Sequence, residues 1–402
     1  VERRVPALVG DTYPYFSVDT LEYLQKGGRI GKVTALDGVT IDVKDNEFFV
    51  LFGPAGAGKT TMLNCIAGIT LPEEGLIKFD GEIMNLVDPA HRNVAMTFEN
   101  YALYPQMTVY DNMAAALRSN LYKTDEATIK EKVYKAAKIM KMENLLERLP
   151  SQLSGGQKQR VAMGRSLVRN PNVFLMDEPL AHLDAKLRNS MRTELKKIQA
   201  DLGSTCIYVT HDFLEAMALG DRIAIVKEGR IVQVGSGDEI YYLPCNKFVA
   251  QLMGEPQINI IAGKMMVNGS QRQFVINVLG QEVALPMPED APLFAKLDQL
   301  GEVSLEMGLR PQNIAYRFEP AEGYFKATVY SYESIGNKSV IVAECGGYQV
   351  RMIAPNGLHV DIDQAVYVKP DVGHAMFFDG QSENFVGRYA EADYRALANE
   401  EA

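Results

Sequence analysis

Hydrophobic and polar positions divide the chain into two differently patterned parts. Up to about residue 250, short apolar runs such as FFVLFG and VFLMDEP alternate with longer stretches of helical periodicity, such as KTTMLNCIAGI. Strands that alternate with helices are typical of an α/β fold built on a mostly parallel sheet. The pattern therefore predicts an α/β domain over residues 1–254.

A helical pattern interrupts this alternation at about residues 107–165. Four apolar residues recur there at helical spacing with Lys and Glu between them, namely Ile129, Val133, Ala136 and Met140. That periodicity predicts a helical subdomain inserted into the α/β domain.

Beyond Pro256 the long helical patterns largely disappear. The segments become short and alternating, as in QFVINVL, YFKATVYSYE and KSVIVAE, and they are separated by Gly, Asn and Pro. Such segments are typical of strands. We predict a second, all-β domain over residues 255–402, with the boundary in or near MGEPQIN.

Length and composition favour two domains. The chain has 402 residues, of which 47% are hydrophobic, enough to bury a substantial core. No window reaches the roughly eighteen consecutive apolar residues of a membrane span, and VERRVPALVG lacks the apolar stretch of a secretory signal. We expect a soluble intracellular protein that would join a membrane process by docking onto other subunits.

Charge and cysteine content exclude further classes. The net charge of -10 argues against nucleic acid as the main partner, because binding to phosphate backbones depends on clustered positive charge. The cysteines show no metal-ligand spacing and are too sparse for a disulfide framework. We expect all four to be reduced, small buried hydrophobes: Cys65, Cys206, Cys245 and Cys345.

Residues 53–60 match the phosphate-loop pattern G-x-x-x-x-G-K-[ST], between a strand-like FFVLF and a helix-like TMLNCIAGI. Glycines let backbone N–H groups point at phosphate oxygens, and the helix N-terminus adds partial positive charge. Lys59 would reach the β- and γ-phosphates, and Thr60 would ligate Mg²⁺. The flanking elements disfavour an ordinary Gly-rich turn. The candidate ATP contacts are Gly53, Pro54, Ala55, Gly56, Ala57, Gly58, Lys59, Thr60 and Thr61.

Two adjacent carboxylates, Asp177 and Glu178, end the apolar run VFLM. Alternate residues of a strand face opposite sides, so Asp177 can hold the Mg²⁺ shell while Glu178 faces an attacking water as general base. Such a pair is ordinarily a solvated strand end. Its position downstream of a phosphate loop favours the catalytic interpretation.

The segment LSGGQKQR at residues 153–160 resembles the LSGGQ signature of the ABC ATPase family. Its residues predict a helix N-terminus that Ser154 caps, with Gln157 at the capping-box position and two glycines that permit close approach. Placed before Asp177 and Glu178, this segment identifies the chain, by resemblance, as a member of that family.

The resemblance implies how two such domains make one site. Two nucleotide domains would face each other head to tail, and the signature of one would complete the ATP site of the other. Ser154, Gly155 and Gly156 would then contact the γ-phosphate in trans, with Gln157 among the nucleotide-binding residues.

Further roles follow from the same resemblance. Asp184, in AHLD, would act at the dimer seam and bind nucleotide there. His211 matches the switch histidine that contacts the γ-phosphate beside Glu178, although a lone histidine after a strand is more often structural. The catalytic candidates are thus Glu178, His211 and Lys59.

Two further segments resemble the maltose and glycerol-phosphate importers. NYALYPQMTV at 100–109 is similar to the segment beside the groove that receives the coupling helices of the membrane subunits; Tyr101, Leu103 and Tyr104 could instead be plain core. MGLRPQNI at 307–314 resembles the GIRPE segment of an OB-like, TOBE-type accessory domain. The resemblance covers nearly the whole chain, weakly over roughly the first 15 residues.

The subfamily implies a setting as well as a fold. It implies ATP and Mg²⁺ as cofactors, two transmembrane permease subunits, an extracytoplasmic solute-binding protein acting indirectly, and a second ATPase subunit, identical or different. The chain would lie at the cytoplasmic face of the bacterial inner membrane.

Two positions depart from the family pattern. Glu99 stands where the family has a glutamine that ligates Mg²⁺; because an ionised carboxylate repels the γ-phosphate when no metal is present, we expect tighter dependence on Mg²⁺. Ile30 stands where an aromatic stacks on adenine, and no aromatic lies between Tyr23 and Phe48. Unless Tyr23 folds over the base, we expect weaker ATP affinity or looser base selectivity. Both motivate the hypothesis of a pair of different ATPase subunits.

The leading interpretation is an ATPase that powers an importer of sugars or similar polar solutes. The alternative is an ATP-binding, weakly hydrolysing partner subunit; intact Lys59, Asp177, Glu178 and His211 argue against it. A soluble ABC protein of DNA repair or translation is disfavoured by the importer-like second domain and the negative charge.

Overall fold

The computed structural model divides the chain into two compact units, Val1–Gly237 and Asp238–Ala402. The sequence pattern placed its boundary further along, after residue 254. The structure describes residues 15–18, 23–25, 33–98, 101–119, 122–169, 171–181, 183–268, 271–278, 281–300, 304–335 and 338–400.

The first unit alternates strands and helices, as the hydrophobic pattern predicts. Its strands are β1 (Tyr15–Val18), β2 (Tyr23–Gln25), β3 (Val33–Leu36), β4 (Ile41–Lys44), β5 (Phe48–Phe52), β6 (Ile77–Phe79), β7 (Glu82–Ile83), β8 (Val94–Thr97), β9 (Val173–Asp177), β10 (Thr205–Thr210), β11 (Arg222–Lys227) and β12 (Arg230–Gly235). Its helices are α1 (Lys59–Ala67), α2 (Val109–Ala114), α3 (Glu126–Ile139), α4 (Gly155–Leu167), α5 (Ala185–Leu202) and α6 (Phe213–Leu219), and α7 (Gly237–Tyr242) begins at its last residue.

A six-stranded sheet forms the centre of this unit, in the spatial order β12-β11-β5-β10-β9-β8. All its neighbours pair in parallel except β12 with β11. Every residue of β5, β9 and β10 is buried, as expected of parallel strands covered on both faces. The apolar side of α1 packs on this sheet through Met62, Leu63 and Ile66. The α/β prediction is therefore confirmed.

Helices α2, α3 and α4 account for the helical pattern between the strands. On α3, Ile129, Val133 and Ala136 are buried, and Met140, which caps the helix at its C-terminus, is also fully buried. Asp125 caps the N-terminus of α3 by accepting hydrogen bonds from the backbone N–H groups of the first turn. The periodic residues thus lie on the inner face of a helix, as their spacing predicts.

The second unit is rich in β-structure. After α8 (Lys247–Leu252) come β13 (Asn259–Asn268), β14 (Gln271–Val278), β15 (Gln281–Pro286), α9 (Ala291–Leu300), β16 (Leu305–Leu309), β17 (Ile314–Arg317), β18 (Phe325–Ile335), β19 (Lys338–Cys345), β20 (Tyr348–Ala354), β21 (Ala365–Pro370), β22 (Met376–Asp379), β23 (Phe385–Arg388) and α10 (Glu391–Glu400). They form two antiparallel sheets, β15-β14-β13-β16-β22-β23 and β17-β21-β18-β19-β20.

One hydrophobic core joins the two sheets, since Phe274 and Met307 of the first lie in the same cluster as Val329 and Ile341 of the second. The β-rich character of this part of the chain is as the sequence predicts. Helices α9 and α10 are additions to that expectation. The sequence signal of α9 is weak, because only Leu293 and Leu297 are buried along it.

Arg310 holds α7 and α8 within the second unit. Its guanidinium donates hydrogen bonds to the carbonyl oxygens of Ala250 (3.0 Å), Met253 and Tyr241 (2.7 Å). It also lies 3.9 Å from the centre of the Tyr241 ring. Burial lowers the pKa of Arg310 to about 10. A buried cation therefore satisfies carbonyls at the ends of two helices, which explains why the chain divides before α7 is complete.

Replacing Arg310 with Met is expected to destabilise the second unit by on the order of 3 kcal/mol, because several buried carbonyls lose a charged donor. Arg310→Lys should recover part of the loss, since an ammonium reaches fewer of these oxygens at once. Urea unfolding followed by circular dichroism measures the change. Arg317→Met, on an exposed position of β17, is the control. Equal stability of Arg310→Met and Arg317→Met would contradict this role.

The cysteine prediction is right for three residues and wrong for the fourth. Cys65, Cys206 and Cys345 are buried, whereas Cys245 is exposed. Cys245 follows Pro244 in the turn between α7 and α8, where its carbonyl oxygen accepts a hydrogen bond from the N–H of Phe385 (3.0 Å). The backbone of Cys245 thus makes a long-range contact with β23.

The helices of the described residues include none with the length and apolar composition needed to cross a membrane.

Candidate functional site

The candidate residues lie after three neighbouring strands of the central sheet. The phosphate loop follows β5, Asp177 and Glu178 close β9, and His211 follows β10. Because β10 pairs in parallel with both β5 and β9, the three strands end at the same edge of the sheet. Ligands of open parallel sheets bind at this carboxyl edge.

Backbone constraints explain two glycines of the phosphate loop. A Cβ atom on Gly53 would lie 2.2 Å from the carbonyl oxygen of Val226. Gly58 has a φ of 102°, and its Cβ would lie 2.7 Å from the carbonyl oxygen of Ala35. Any side chain at either position would force the backbone apart. The loop can therefore take its curled path only with glycine at both positions.

The N-terminus of α1 is open, unlike those of the other long helices of this unit. Gly58 stands at its N-cap and supplies no side-chain hydrogen bond. By contrast, side-chain oxygens cap α3, α4 and α5, from Asp125, Ser154 and Asp184. The first N–H groups of α1 thus remain available to an external acceptor, and the helix adds partial positive charge there. This end of α1 is suited to bind phosphate.

Lys59 points back across the loop. Its Nζ donates to the carbonyl oxygens of Gly53 (2.8 Å) and Pro54 (2.9 Å), and the residue is only 5% exposed. Burial lowers the pKa of Lys59, while the carboxylates of Glu178 and Asp177 act in the opposite direction. A largely desolvated cation is thereby held beside two carboxylates at the mouth of the loop.

Thr60 and Asp177 form the pair predicted to hold Mg²⁺. The Thr60 hydroxyl donates to Oδ1 of Asp177 over 3.1 Å, and Asp177 is buried. Two hard oxygen ligands at one point fit Mg²⁺, which usually keeps several waters and takes substrate phosphate as well. Within the described residues, no group of three or more His, Cys, Asp or Glu side chains is placed to hold a metal.

Glu178 departs from the strand geometry that its sequence suggests. Strand β9 ends at Asp177, and Glu178 adopts a left-handed conformation with a φ of 45°. Its N–H donates to the carbonyl oxygen of Val209 over 3.1 Å, which fixes this turn against β10. Left-handed backbone is unfavourable for a residue with a side chain, and such strain is concentrated at functional sites. The turn, and not strand alternation, directs Glu178 away from Asp177.

His211 and Glu178 are in contact. Nδ1 of His211 lies 2.9 Å from Oε2 of Glu178, and the histidine side chain is 59% exposed. The pair lies at the same sheet edge as Lys59 and the pair of Thr60 and Asp177. The structure thus brings together residues 59–60, 177–178 and 211, which come from three separate stretches of the sequence.

Glu215 is a buried acid that sequence reasoning missed, and it contacts the end of β10 just before His211. Oε2 of Glu215 accepts hydrogen bonds from the hydroxyls of Tyr208 (2.9 Å) and Thr210 (2.7 Å). Burial raises the pKa of Glu215, while these two hydrogen bonds lower it. Asp212 caps α6 by accepting the N–H of Glu215. Thr210 and Asp212, the residues on either side of His211, are therefore both held by hydrogen bonds. The sequence signal that could have indicated this is the spacing of Asp212 and Glu215, which is that of a helix N-cap and its N3 residue.

The signature segment has the predicted capping box. Oγ of Ser154 accepts the N–H of Gln157 (3.3 Å), and Oε1 of Gln157 accepts the N–H of Ser154 (2.9 Å). Ser154 and Gly155 are exposed. None of the hydrogen bonds found among the described residues joins this segment to residues 53–60 of the same chain. The signature is thus well formed but presented outward.

The segment predicted to contact the membrane subunits lines a cavity of about 250 Å³. Tyr101 is half-buried and Tyr104 is exposed, which does not fit the alternative that they are plain core. Tyr101 and Ala102 both have left-handed backbone, with φ of 64° and 46°. Arg165 of α4 donates to the carbonyl oxygen of Ala102 and lies 4.9 Å from the centre of the Tyr104 ring. The signature helix α4 therefore lines the cavity directly, through Arg165.

Three predicted or questioned positions lie outside the described residues or side chains. Glu99 and Ile30 are not among the described residues, and only the backbone of Tyr23, in β2, is described. The expectations about Mg²⁺ dependence and adenine stacking stay predictions.

Comparison with known proteins extends the resemblance along the chain. A family model described as "ABC transporter" matches residues 36–181. The chain is 40% identical over 372 residues to the uncharacterized ABC transporter ATP-binding protein YurJ of Bacillus subtilis, covering 91% of this chain and 99% of that one. It is 43% identical over 330 residues to the trehalose/maltose import ATP-binding protein MalK of Thermococcus litoralis, covering 79% and 86%.

Two further matches agree. The sn-glycerol-3-phosphate import ATP-binding protein UgpC of Paraburkholderia xenovorans is 39% identical over 352 residues, with coverage of 88% and 95%. A dimeric ATP-binding cassette, MJ0796, solved in a post-hydrolysis state with ADP and Pi, superposes with a TM-score of 0.51 at 30% identity, covering 55% of this chain and 98% of that one. The chain therefore belongs to the ABC transporter ATP-binding proteins, a family of ATPases.

Proposed function

We propose that this chain is the ATP-hydrolysing subunit of an ABC importer for sugars or related polar solutes, acting at the cytoplasmic face of the cell membrane. The observation that carries the hydrolytic part is the contact of His211 with Glu178 over 2.9 Å, beside Lys59 and the pair of Thr60 and Asp177. The import ATP-binding proteins for trehalose/maltose and sn-glycerol-3-phosphate among its relatives support the solute class.

Each residue has a distinct part in the proposed hydrolysis. The N–H groups of the loop and of the first turn of α1 bind the phosphates, and Lys59 exchanges its carbonyl partners for the β- and γ-phosphates. Thr60 and Asp177 would hold Mg²⁺, which when bound neutralises charge on the phosphate oxygens. Binding and orientation thus precede the chemical step.

Glu178 and His211 act on the attacking water. The Glu178 carboxylate accepts a proton from the water, whose oxygen attacks the γ-phosphorus in line while the bond to the ADP oxygen breaks. His211, which contacts Glu178, would also contact the γ-phosphate and keep the carboxylate directed at the water. ADP and phosphate are the products.

A second ATPase chain would complete each site. The capped end of α4 carries exposed Ser154 and Gly155 and half-buried Gly156, where they can meet a γ-phosphate held by the facing chain. Asp184 caps α5 through its Oδ1 and fixes the loop at the seam between the chains. Gln157 supports this surface by satisfying the N–H of Ser154.

The cavity is the proposed docking site for the two permease subunits. It is lined by Tyr101, Tyr104 and Arg165. A coupling helix bound there would contact Ala102, whose left-handed backbone is strained. Because Arg165 of the signature helix α4 donates to the carbonyl oxygen of Ala102, a shift of Ala102 would move α4 as well. Closure of the ATPase dimer and movement of the permeases would then be one event. The solute-binding protein acts only through the permeases.

Filling the cavity tests the docking. Ala116→Phe places a ring in a cavity that Ala116 lines, so we expect the chain to keep its basal ATPase rate and to lose at least about thirtyfold in affinity for its permeases, a loss of hot-spot size. Ala127→Phe, on an exposed position of α3, is the control. The measurement is co-purification with the permeases encoded beside it, with ATPase and solute uptake in proteoliposomes. Normal assembly of Ala116→Phe would reject the site.

A further inference from the structure

Arg188, in the first two turns of α5, connects two loops of the candidate site. Its Nη2 donates to the carbonyl oxygens of Leu183 (3.2 Å) and Ala181 (3.4 Å). Its Nη1 donates to Oδ2 of Asp212 over 3.2 Å. One planar guanidinium thus joins the seam loop, of which residues 181, 183 and 184 are described, to the switch loop, residues 210–212.

Each loop is also attached to one residue of the hydrolytic pair, Glu178 and His211. In the seam loop, the N–H of Ala181 donates to the carbonyl oxygen of Glu178 over 3.2 Å. In the switch loop, the N–H of Asp212 donates to the hydroxyl of Thr210 over 3.0 Å, so the residues on both sides of His211 are held. Arg188 therefore closes a ring of contacts that runs from Glu178 through both loops to His211.

One link of this network is incomplete. Among the residues that the structure describes, buried Nε of Arg188 has no hydrogen-bond partner, and it lies 4.0 Å from Oε1 of Glu215. The other oxygen of Glu215 already accepts the hydroxyls of Tyr208 and Thr210. A displacement of about 1 Å would bring Nε and Oε1 to hydrogen-bonding distance. Such a displacement would add Glu215 to the acceptors of the guanidinium.

We propose that Arg188 is a positioning residue that couples the seam loop to His211. Glu178 and His211 are then aligned for hydrolysis only when the facing ATPase chain has bound and fixed the position of the seam loop. This inference rests on the proposed function, in which His211 acts in hydrolysis and the seam loop lies against the facing chain. Movement of Ala181 and Leu183, whose carbonyl oxygens accept from Arg188, would pull the guanidinium with it. The guanidinium in turn shifts Asp212 and engages Glu215, which moves the backbone on either side of His211.

Arginine suits this task better than lysine. Three acceptors on two loops require donors in a fixed fork, which a single ammonium does not supply. The nearby Arg192, one turn further along α5, donates to Oδ1 of Asn189 on its own helix. It therefore offers a control of the same residue type on the same element.

The test compares Arg188→Met, Arg188→Lys and the control Arg192→Met in the full-length chain, alone and combined with His211→Ala. We expect Arg188→Met to lower the kcat of ATP hydrolysis about tenfold, within the range of allosteric coupling, with the Kd for ATP unchanged. Cooperativity in ATP should fall as well, Arg188→Lys should be intermediate, and Arg192→Met should match the parent chain. Thermal unfolding of all variants reports whether the fold is kept.

The combination with His211→Ala distinguishes positioning from general damage. If Arg188 acts through His211, the double variant is no slower than His211→Ala alone, measured by single-turnover phosphate release. Multiplying effects, or a normal kcat in Arg188→Met while His211→Ala is slow, would overturn the coupling and leave the proposed function intact. A normal kcat in His211→Ala would remove its assigned role, and with it both proposals.

Discussion

Glu178→Gln is expected to keep ATP binding, to trap a closed dimer and to abolish turnover. The amide cannot accept a proton from water, and a positioned general base contributes about 10²–10⁴-fold to a rate. The phosphate loop, Lys59 and the pair of Thr60 and Asp177 are untouched, so the nucleotide should bind and hold two chains together. Phosphate release measures turnover, and light scattering with Mg-ATP measures the dimer.

The appropriate control is an acid-to-amide change of the same size elsewhere. Glu131→Gln, on an exposed position of α3, should hydrolyse ATP at the parent rate. A persistent monomer in Glu178→Gln with ATP would argue against the two-chain site. Undiminished phosphate release would remove Glu178 from the mechanism.

Local patterns carried most of the fold prediction. The strand-loop-helix arrangement around residues 53–60 and the capping box of Ser154 and Gln157 depend on neighbours within a few positions, so their residues are sufficient to recognise them. The buried face of α3 follows from spacing alone. The same holds for the alternating segments of the second unit, whose pairing order nonetheless has to be read from the structure.

Long-range contacts account for what the sequence did not indicate. The left-handed turn at Glu178 depends on a hydrogen bond to Val209 of the neighbouring strand, and no local pattern marks it. Arg310 sits in a motif recognised by resemblance, yet its role, joining α7 and α8 to the β-structure, depends on carbonyls some 60 positions away. Arg188 resembles any charged residue of an amphipathic helix until the two loops are placed around it.

Lys59→Met is expected to weaken ATP binding roughly 10- to 100-fold, because the phosphates lose a charged hydrogen-bond donor worth about 1.5–3 kcal/mol. Binding of a fluorescent ATP analogue measures this loss. Lys130→Met, on an exposed position of α3, is the matched control and should bind as the parent does. Affinity that survives in Lys59→Met would mean that Lys59 does not reach the phosphates.

The same variant has a second, opposite signature in the nucleotide-free chain. Burial places the folded-state pKa of Lys59 below its ordinary value of 10.5, so the unfolded chain binds more protons between those two values. Folding stability should therefore rise as pH increases from the lowered pKa towards 10.5, and this contribution should be absent in Lys59→Met. Urea unfolding across that range measures it, and a parent chain whose stability did not rise relative to Lys59→Met as the pH increased would contradict the burial of a charged Lys59. A residue that opposes folding through its desolvation is retained, on this account, because ATP supplies the phosphates that its charge requires.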